Sequence, residues 1–149
     1  MSSPRYAGFW VRFIADLIDT TLLTVASWLL ELMILGVVYW LGKRAAPFSD
    51  AFNPFWLQIF NGVLYLALAF PYYTWAHYRY GTTLGKKPFG VTVVSEADRL
   101  PISLKQAILR TLGYVVSYAP FGAGFIMAAF HPQKRALHDL IAGTVSIAK

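Results

Sequence analysis

Cysteine is absent from the 149-residue sequence, which excludes disulfides and thiolate metal sites and leaves the redox character of the compartment unread. Charge is scarce: only 13% of residues are Asp, Glu, Lys or Arg, and seven are acidic. The three histidines, His77, His131 and His138, are too dispersed for a recognisable zinc spacing, so no metal is assigned. No Ser-His-Asp or paired-carboxylate arrangement can be placed on a soluble scaffold, so no catalytic residue and no cofactor are expected. A phosphate loop is missing too. Gly81-Thr82-Thr83-Leu84-Gly85-Lys86-Lys87 has too few residues between its glycines and a lysine where the motif needs Ser or Thr. The glycines there fit tight turns, and Lys86 and Lys87 fit contacts with anionic lipid headgroups.

What is present is apolar. Hydrophobic residues make up 57% of the chain and the mean hydropathy is +0.50, more than a protein of this size can cover with water-compatible surface. The expected class is a small all-α integral membrane protein in a lipid bilayer. A net charge of +6 does not point to nucleic acid, because the Lys and Arg residues lie in short connections between apolar segments rather than on one face. Asp16 and Asp19 interrupt the first apolar stretch, so the N-terminus is not expected to be a cleaved signal.

The spacing predicts one membrane domain over residues 1–149. Helix 1 covers about 7–41, with an apolar run from Thr20 to Leu41 interrupted only by Glu31. Trp10 and Arg12 are expected at headgroup level. Lys43, Arg44, Pro47 and Asn53-Pro54 mark a loop. Helix 2 covers about 55–78, flanked by Trp56 and Trp75, with Pro71 as an expected kink. A polar connection over 79–103 alternates as a short β-hairpin does, with an irregular loop as the alternative. The hydrophobic segment 104–130 contains Pro120-Phe121-Gly122 near its middle. It reads either as a third span or as two half-length helices that return, and the C-terminal segment 131–149 follows.

Charge placement discriminates. Arg5, Arg12, Arg79, Lys86, Lys87, Arg99, Lys105 and Arg110 flank one side of the first two spans, against Lys43 and Arg44 on the other. The positive-inside rule then puts the N-terminus in the cytoplasm. A returning hairpin adds Lys134, Arg135 and Lys149 to the same side, so it is favoured and the small hairpin is expected to be cytoplasmic. Gly143-Thr144-Val145-Ser146-Ile147 resembles a strand, as does Gly90 to Val94, and the two can pair only if they share a side.

Polar residues inside the first helix are not scattered. A rotation of about 100° per residue gathers Arg12, Asp16, Asp19, Thr20, Thr24, Ser27 and Glu31 into a stripe about 140° wide. Leu22, Val25, Leu29 and Met33 are left to meet lipid. Gln58, Asn61, Tyr65 and Tyr72 form a weaker stripe on the second helix, and two such stripes facing each other would make a hydrated seam. Acids at membrane depth are costly and need partners or water. Asp16, Asp19 and Glu31 are therefore candidate cation or proton sites, with Arg12 setting the charge balance. The alternative is a structural network in which Arg12 pairs with Asp16 and with Asp139, and in which Arg135 and a pH-sensitive His138 take part. His77, near Trp75 and Tyr78, reads as an interfacial residue.

Three local patterns carry a resemblance. They are Ala7-Gly8-Phe9-Trp10-Val11-Arg12 with Ile18-Asp19, Gly81 to Lys86 leading to Gly90-Val91, and Arg135-Ala136-Leu137-His138-Asp139 running to Gly143-Thr144. In this order the chain resembles the RDD family of membrane proteins, named for one arginine and two aspartates. The resemblance puts the eponymous residues on Arg12, Asp19 and Asp139. Asp16 is an additional acid, and Lys87-Pro88 departs from the apolar run expected after the Gly-Lys pair. The resemblance implies a bacterial inner-membrane protein that transports small solutes, with cation/proton antiport suggested for some members. A homo-oligomer would enclose the path. The alternative is a non-transporting subunit or scaffold that binds another membrane protein.

Overall fold

The computed structural model describes residues 5–42, 54–118 and 123–148. The expected loop at Lys43, Arg44, Pro47 and Asn53, the break at Pro120-Phe121-Gly122, and Lys149 lie outside them.

Helix α1 spans Phe9–Gly42 and α2 spans Pro54–Tyr80. Both are long and apolar enough to cross a membrane. At 1.5 Å per residue α1 rises about 51 Å, well beyond the roughly 30 Å of hydrocarbon, so its ends reach the headgroups. The helix interior of α2 continues through Pro71. Strand β1 (Val91–Ser95) follows after a short 3-10 turn at Lys87–Phe89. Helices α3 (Leu104–Tyr118), α4 (Ala123–Phe130) and α5 (Leu137–Ala142) come next, and β2 (Thr144–Ala148) ends the chain's described part.

The chain divides into two compact units, Met1–Asp19 with Pro71–Lys149, and Thr20–Phe70. The second consists of the apolar stretches of α1 and α2. Leu22, Val25, Leu29 and Met33 are exposed there, whereas Leu23 and Ser27 are buried. This is the division between a lipid face and a packed face expected from the helical stripe.

The first unit holds the sheet. β1 and β2 pair antiparallel, from Val91 opposite Ala148 to Ser95 opposite Thr144. Tyr6 bridges Ile147 on the far side of β2, and Pro101 bridges Val94 on the far side of β1. The expected hairpin within 79–103 is therefore only a single bridge at Val94 and Pro101. The main partner of β1 comes from the C-terminal segment, as the likeness of the two strands suggested. Val91, Val93 and Val145 are buried, and Val93 packs with Ile102 and Ala107.

This pairing bears on the path of the third apolar segment. Tyr6, β1 and β2 are hydrogen-bonded to one another and so occupy one side of any membrane. Helices α1 and α2, both long and apolar enough to cross a membrane, come between Tyr6 and β1 in the chain. With β1 and β2 held in one sheet, a returning path for the residues between them is favoured over a single span. Helices α3 and α4 are bent by 103° relative to each other. Tyr118 and Phe125 meet ring to ring at 4.7 Å. A Cβ on Gly124 would lie 2.6 Å from Ser117 Cα, so the two helices touch where only glycine fits.

Candidate functional site

The first unit buries an unusual amount of charge. Arg12, Asp19, Lys86, Arg110 and Asp139 are each less than 5% exposed. Charges removed from water persist only when paired or richly hydrogen-bonded, and the five are satisfied in three different ways.

Asp139 sits in the first turn of α5 between two guanidinium groups. Arg12 of α1 donates to its Oδ2 at 2.5 Å and Arg110 of α3 pairs with its Oδ1. The Ala136 backbone N–H adds a bond to Oδ2 at 3.0 Å, which also caps the start of the helix. Burial alone would raise the Asp139 pKa. Arg110 and Arg12 overcome it and hold the carboxyl well below the usual carboxylate range. Arg110 also reaches Thr144 Oγ1 on β2 at 2.8 Å, and Arg12 reaches the Lys134 carbonyl at 2.6 Å. One carboxylate thereby ties α1, α3, α5 and β2 together. Helix α5 comes this close to α3 because Gly113 lies against it: a Cβ there would be 2.9 Å from His138 Cα.

His138 is neutral in this setting. Arg12 Nη2 lies 3.1 Å from its Nε2, and a guanidinium can only donate, so Nε2 carries the lone pair. Nδ1 is 3.3 Å from Ser117 Oγ, which gives its own proton to the Gly113 carbonyl at 2.8 Å. The ring proton therefore resides on Nδ1. Burial, reinforced by Arg110, Arg12 and Lys86, pushes the imidazole pKa well below its ordinary value, against the pull of Asp139.

Lys86 corrects an expectation. Instead of reaching a headgroup it is fully buried, with Nζ 3.1 Å from Asp16 Oδ1 and donating to Tyr114 OH at 3.0 Å. Burial opposes its charge, but Asp16 more than offsets this and keeps the ammonium pKa raised. Asp16 accordingly pairs with Lys86 rather than with Arg12. His77, read as interfacial, is buried beside Lys86, with Nε2 3.4 Å from Nζ, and stacks on Tyr73.

Asp19 is held differently. Tyr72 OH donates to its Oδ1 at 2.6 Å, the Gly85 N–H donates to the same oxygen at 2.8 Å, and the Thr83 hydroxyl donates to Oδ2. No Lys, Arg or His among the described residues forms an ion pair with it. The turn can wrap the carboxylate because Gly85 has no side chain. A Cβ would collide with the Ala15 carbonyl and come within 2.9 Å of Asp19 Cγ. Each hydroxyl also accepts a backbone N–H, Leu84 to Tyr72 at 2.9 Å and Lys86 to Thr83 at 3.3 Å.

The remaining sequence candidates take other places. Arg135 pairs with Glu96 and reaches the Asp139 carbonyl at 3.4 Å, not its carboxylate. In the second unit Asn61 Nδ2 donates to Glu31 Oε2 at 2.8 Å, so the two polar stripes do meet there. Ser27 gives its hydroxyl proton to the Thr24 carbonyl of its own helix at 2.9 Å. Thr20 and Tyr65 are half-buried. Among the described residues no group of three or more His, Cys, Asp or Glu is placed to hold a metal ion.

Sequence reasoning missed Arg110, Lys86, Thr83 and Gly85 as site residues. For Arg110 a signal existed. It shares a helical face with Ala107, Thr111, Tyr114 and Ser117 at three- and four-residue spacing, which is the buried face of α3.

Arg12, Asp19 and Asp139, the three residues set apart by the resemblance, are thus all buried at the centre of one unit. The RDD family model matches residues 6–143, from the first bridging residue of the sheet to the glycine before β2. The chain belongs to the RDD family. Among similar proteins, the uncharacterized protein YxaI of Bacillus subtilis is 34% identical over 151 residues, covering 93% of this chain and 94% of that protein. YckC of the same organism is 32% identical over 149 residues, 97% of this chain and 85% of that protein. A third, named as the uncharacterized membrane protein YteJ, is 32% identical over 144 residues, 95% of this chain and 80% of that protein. No solved structure matches the chain. Family, apolar helices and a relative named as a membrane protein agree that this is an integral membrane protein of the RDD family.

Proposed function

We propose that this RDD protein is a transport-type membrane protein that exchanges a small cation for protons at Asp19, working as an oligomer in a bacterial cytoplasmic membrane with both ends on the cytoplasmic side. The observation that carries the reading is the contrast in how the buried acids are neutralised. Asp139 is closed on Arg12 and Arg110, and Asp16 on Lys86. Asp19 is satisfied by two hydroxyls and one amide, with no ion pair among the described residues. Hydroxyl groups are amphoteric. They donate to an empty carboxylate, and on rotating they present oxygen to a cation. A carboxylate with two hydroxyl oxygens is a hard ligand set suited to a small cation, and loading it breaks no salt bridge. Glu31, on the same helical stripe and bonded to the Asn61 amide, is a second protonatable step. The reading assigns no catalytic residue.

The test is proton flux in liposomes containing the purified protein, driven by an added cation gradient. Flux is expected to disappear in Asp19→Asn and to fall in Glu31→Gln. Unchanged flux in both variants overturns the carboxylate mechanism.

A second reading is favoured by the closure of Arg12, Arg110 and Asp139 on one another, which suits architecture rather than turnover. On it the protein is a non-transporting subunit. Crosslinking in native membranes should then trap a different polypeptide, and self-contacts alone would count against it.

A further inference from the structure

Two adjacent lysines point to opposite fates. Lys86 is buried on Asp16, whereas Lys87 is exposed and forms no ion pair among the described residues. Lys87 stands at the edge of an open cavity of about 880 Å³ that lies within the first unit. This volume falls in the range of about 300–1,000 Å³ usual for ligand sites. One wall is the last turns of α2, with Pro71, Tyr72, Trp75, Ala76 and Tyr80; the other is the turn carrying Thr82, Thr83, Leu84 and Lys87.

Three features of this cavity favour one kind of occupant. Its wall is apolar and belongs to a membrane-spanning helix close to that helix's end. Trp75 and Tyr80, 57% and 66% exposed, are the residue types that sit at headgroup depth. Leu84 stands 60% exposed in a turn otherwise made of Gly, Thr and Lys. That exposure is unfavourable in water and favourable against hydrocarbon. The neighbouring hydroxyls offer little to a polar ligand, because Thr82 Oγ1 donates to the Val91 carbonyl at 2.8 Å and Thr83 bonds Asp19. The groove therefore combines a hydrocarbon wall with Lys87, the cation of its lining, which forms no ion pair among the described residues, and the Arg79 guanidinium lies over the Tyr80 ring nearby at 5.9 Å.

We propose that this groove binds an anionic phospholipid, one acyl chain lying against Trp75, Ala76 and Leu84 and the phosphate meeting Lys87. The site explains the departure from the apolar run expected after the Gly-Lys pair: the first lysine locks the fold and the second faces the lipid. The groove shares Tyr72 and Thr83 with the Asp19 site, but lipid retention at Lys87 and Leu84 is read without any proton or cation flux, so failure of either proposal is distinguishable from failure of the other.

The experiment is native mass spectrometry of the delipidated full-length protein titrated with phosphatidylglycerol, phosphatidylcholine or inorganic phosphate. Phosphatidylglycerol should be retained roughly fivefold better than phosphatidylcholine, the advantage of one lysine at an anionic surface. Lys87→Gln should abolish that preference while leaving phosphatidylcholine binding unchanged. Leu84→Asp, at an exposed position and with folding verified by its circular dichroism, should lower retention of both lipids by on the order of tenfold. The proposal is overturned if Lys87→Gln keeps the preference, if Leu84→Asp retains lipid as the parent does, or if inorganic phosphate displaces phosphatidylglycerol, which would make the site one for the free anion.

Discussion

Asp139 and Asp19 are both completely buried, yet one is surrounded by charge and the other by neutral donors. Asp139 collects two arginines from α1 and α3, and its loss leaves both buried without a counterion. Asp19 collects hydroxyls and an amide that would persist, still partly satisfied, around a neutral side chain. The first arrangement is costly to break and suits a clamp. The second changes occupancy at smaller cost and suits a site.

The sharpest way to break this comparison is to neutralise each acid in turn. Asp139→Asn should destabilise the protein by about 3–5 kcal/mol, the cost of leaving buried charges unpaired. Asp19→Asn should cost about 1–3 kcal/mol, the range for one mismatched buried hydrogen bond. Thermal unfolding in detergent micelles measures both, and equal losses would dissolve the distinction.

A backbone change addresses only the Asp19 side. Gly85→Ala should push the turn off α1 and cost about 1–3 kcal/mol, as overpacking does. A melting temperature equal to that of the parent would show that the close approach of Gly85 to Ala15 is dispensable.

The smallest effect is expected from pH and belongs to the Asp139 side. His138 is faced by Asp139 on α5, Arg12 on α1, Arg110 on α3 and Lys86 from the turn before β1. Its pKa is lower in the folded protein than the ordinary 6.5, so the unfolded chain binds the proton first. Stability should be full above about pH 6.5 and decline below it, by at most about 1.4 kcal/mol per pH unit for this one group. In His138→Gln the acid limb of a stability-against-pH profile should be shallower. An identical profile would remove His138 from the account.

Much of this organisation was legible beforehand because helical periodicity is local. Arg12, Asp19 and Ser27 lie on the buried face of α1, and Leu22, Val25, Leu29 and Met33 on the exposed one, since a rotation of 100° per residue needs no tertiary information. Partner choice was not legible. Arg12 pairs across 127 positions with Asp139 rather than four residues along its own helix with Asp16. Lys86 turns inward because Gly85 brings its turn against Ala15, a contact no spacing rule announces.

The sequence by itself determined that this is a membrane protein with two long apolar helices, that its polar residues share a stripe, and that its motifs follow the RDD order. The first two properties depend on composition and on the helical repeat alone, and the third on the resemblance of short local motifs. Tertiary structure decided which charges meet and how the third apolar segment runs. Its 20 uncharged residues from Thr111 to Phe130 are long enough to span. The backbone hydrogen bonds of β1 with β2, and of Tyr6 with β2, hold three distant parts of the chain on one side. They favour a returning path for the segment between them over a single span.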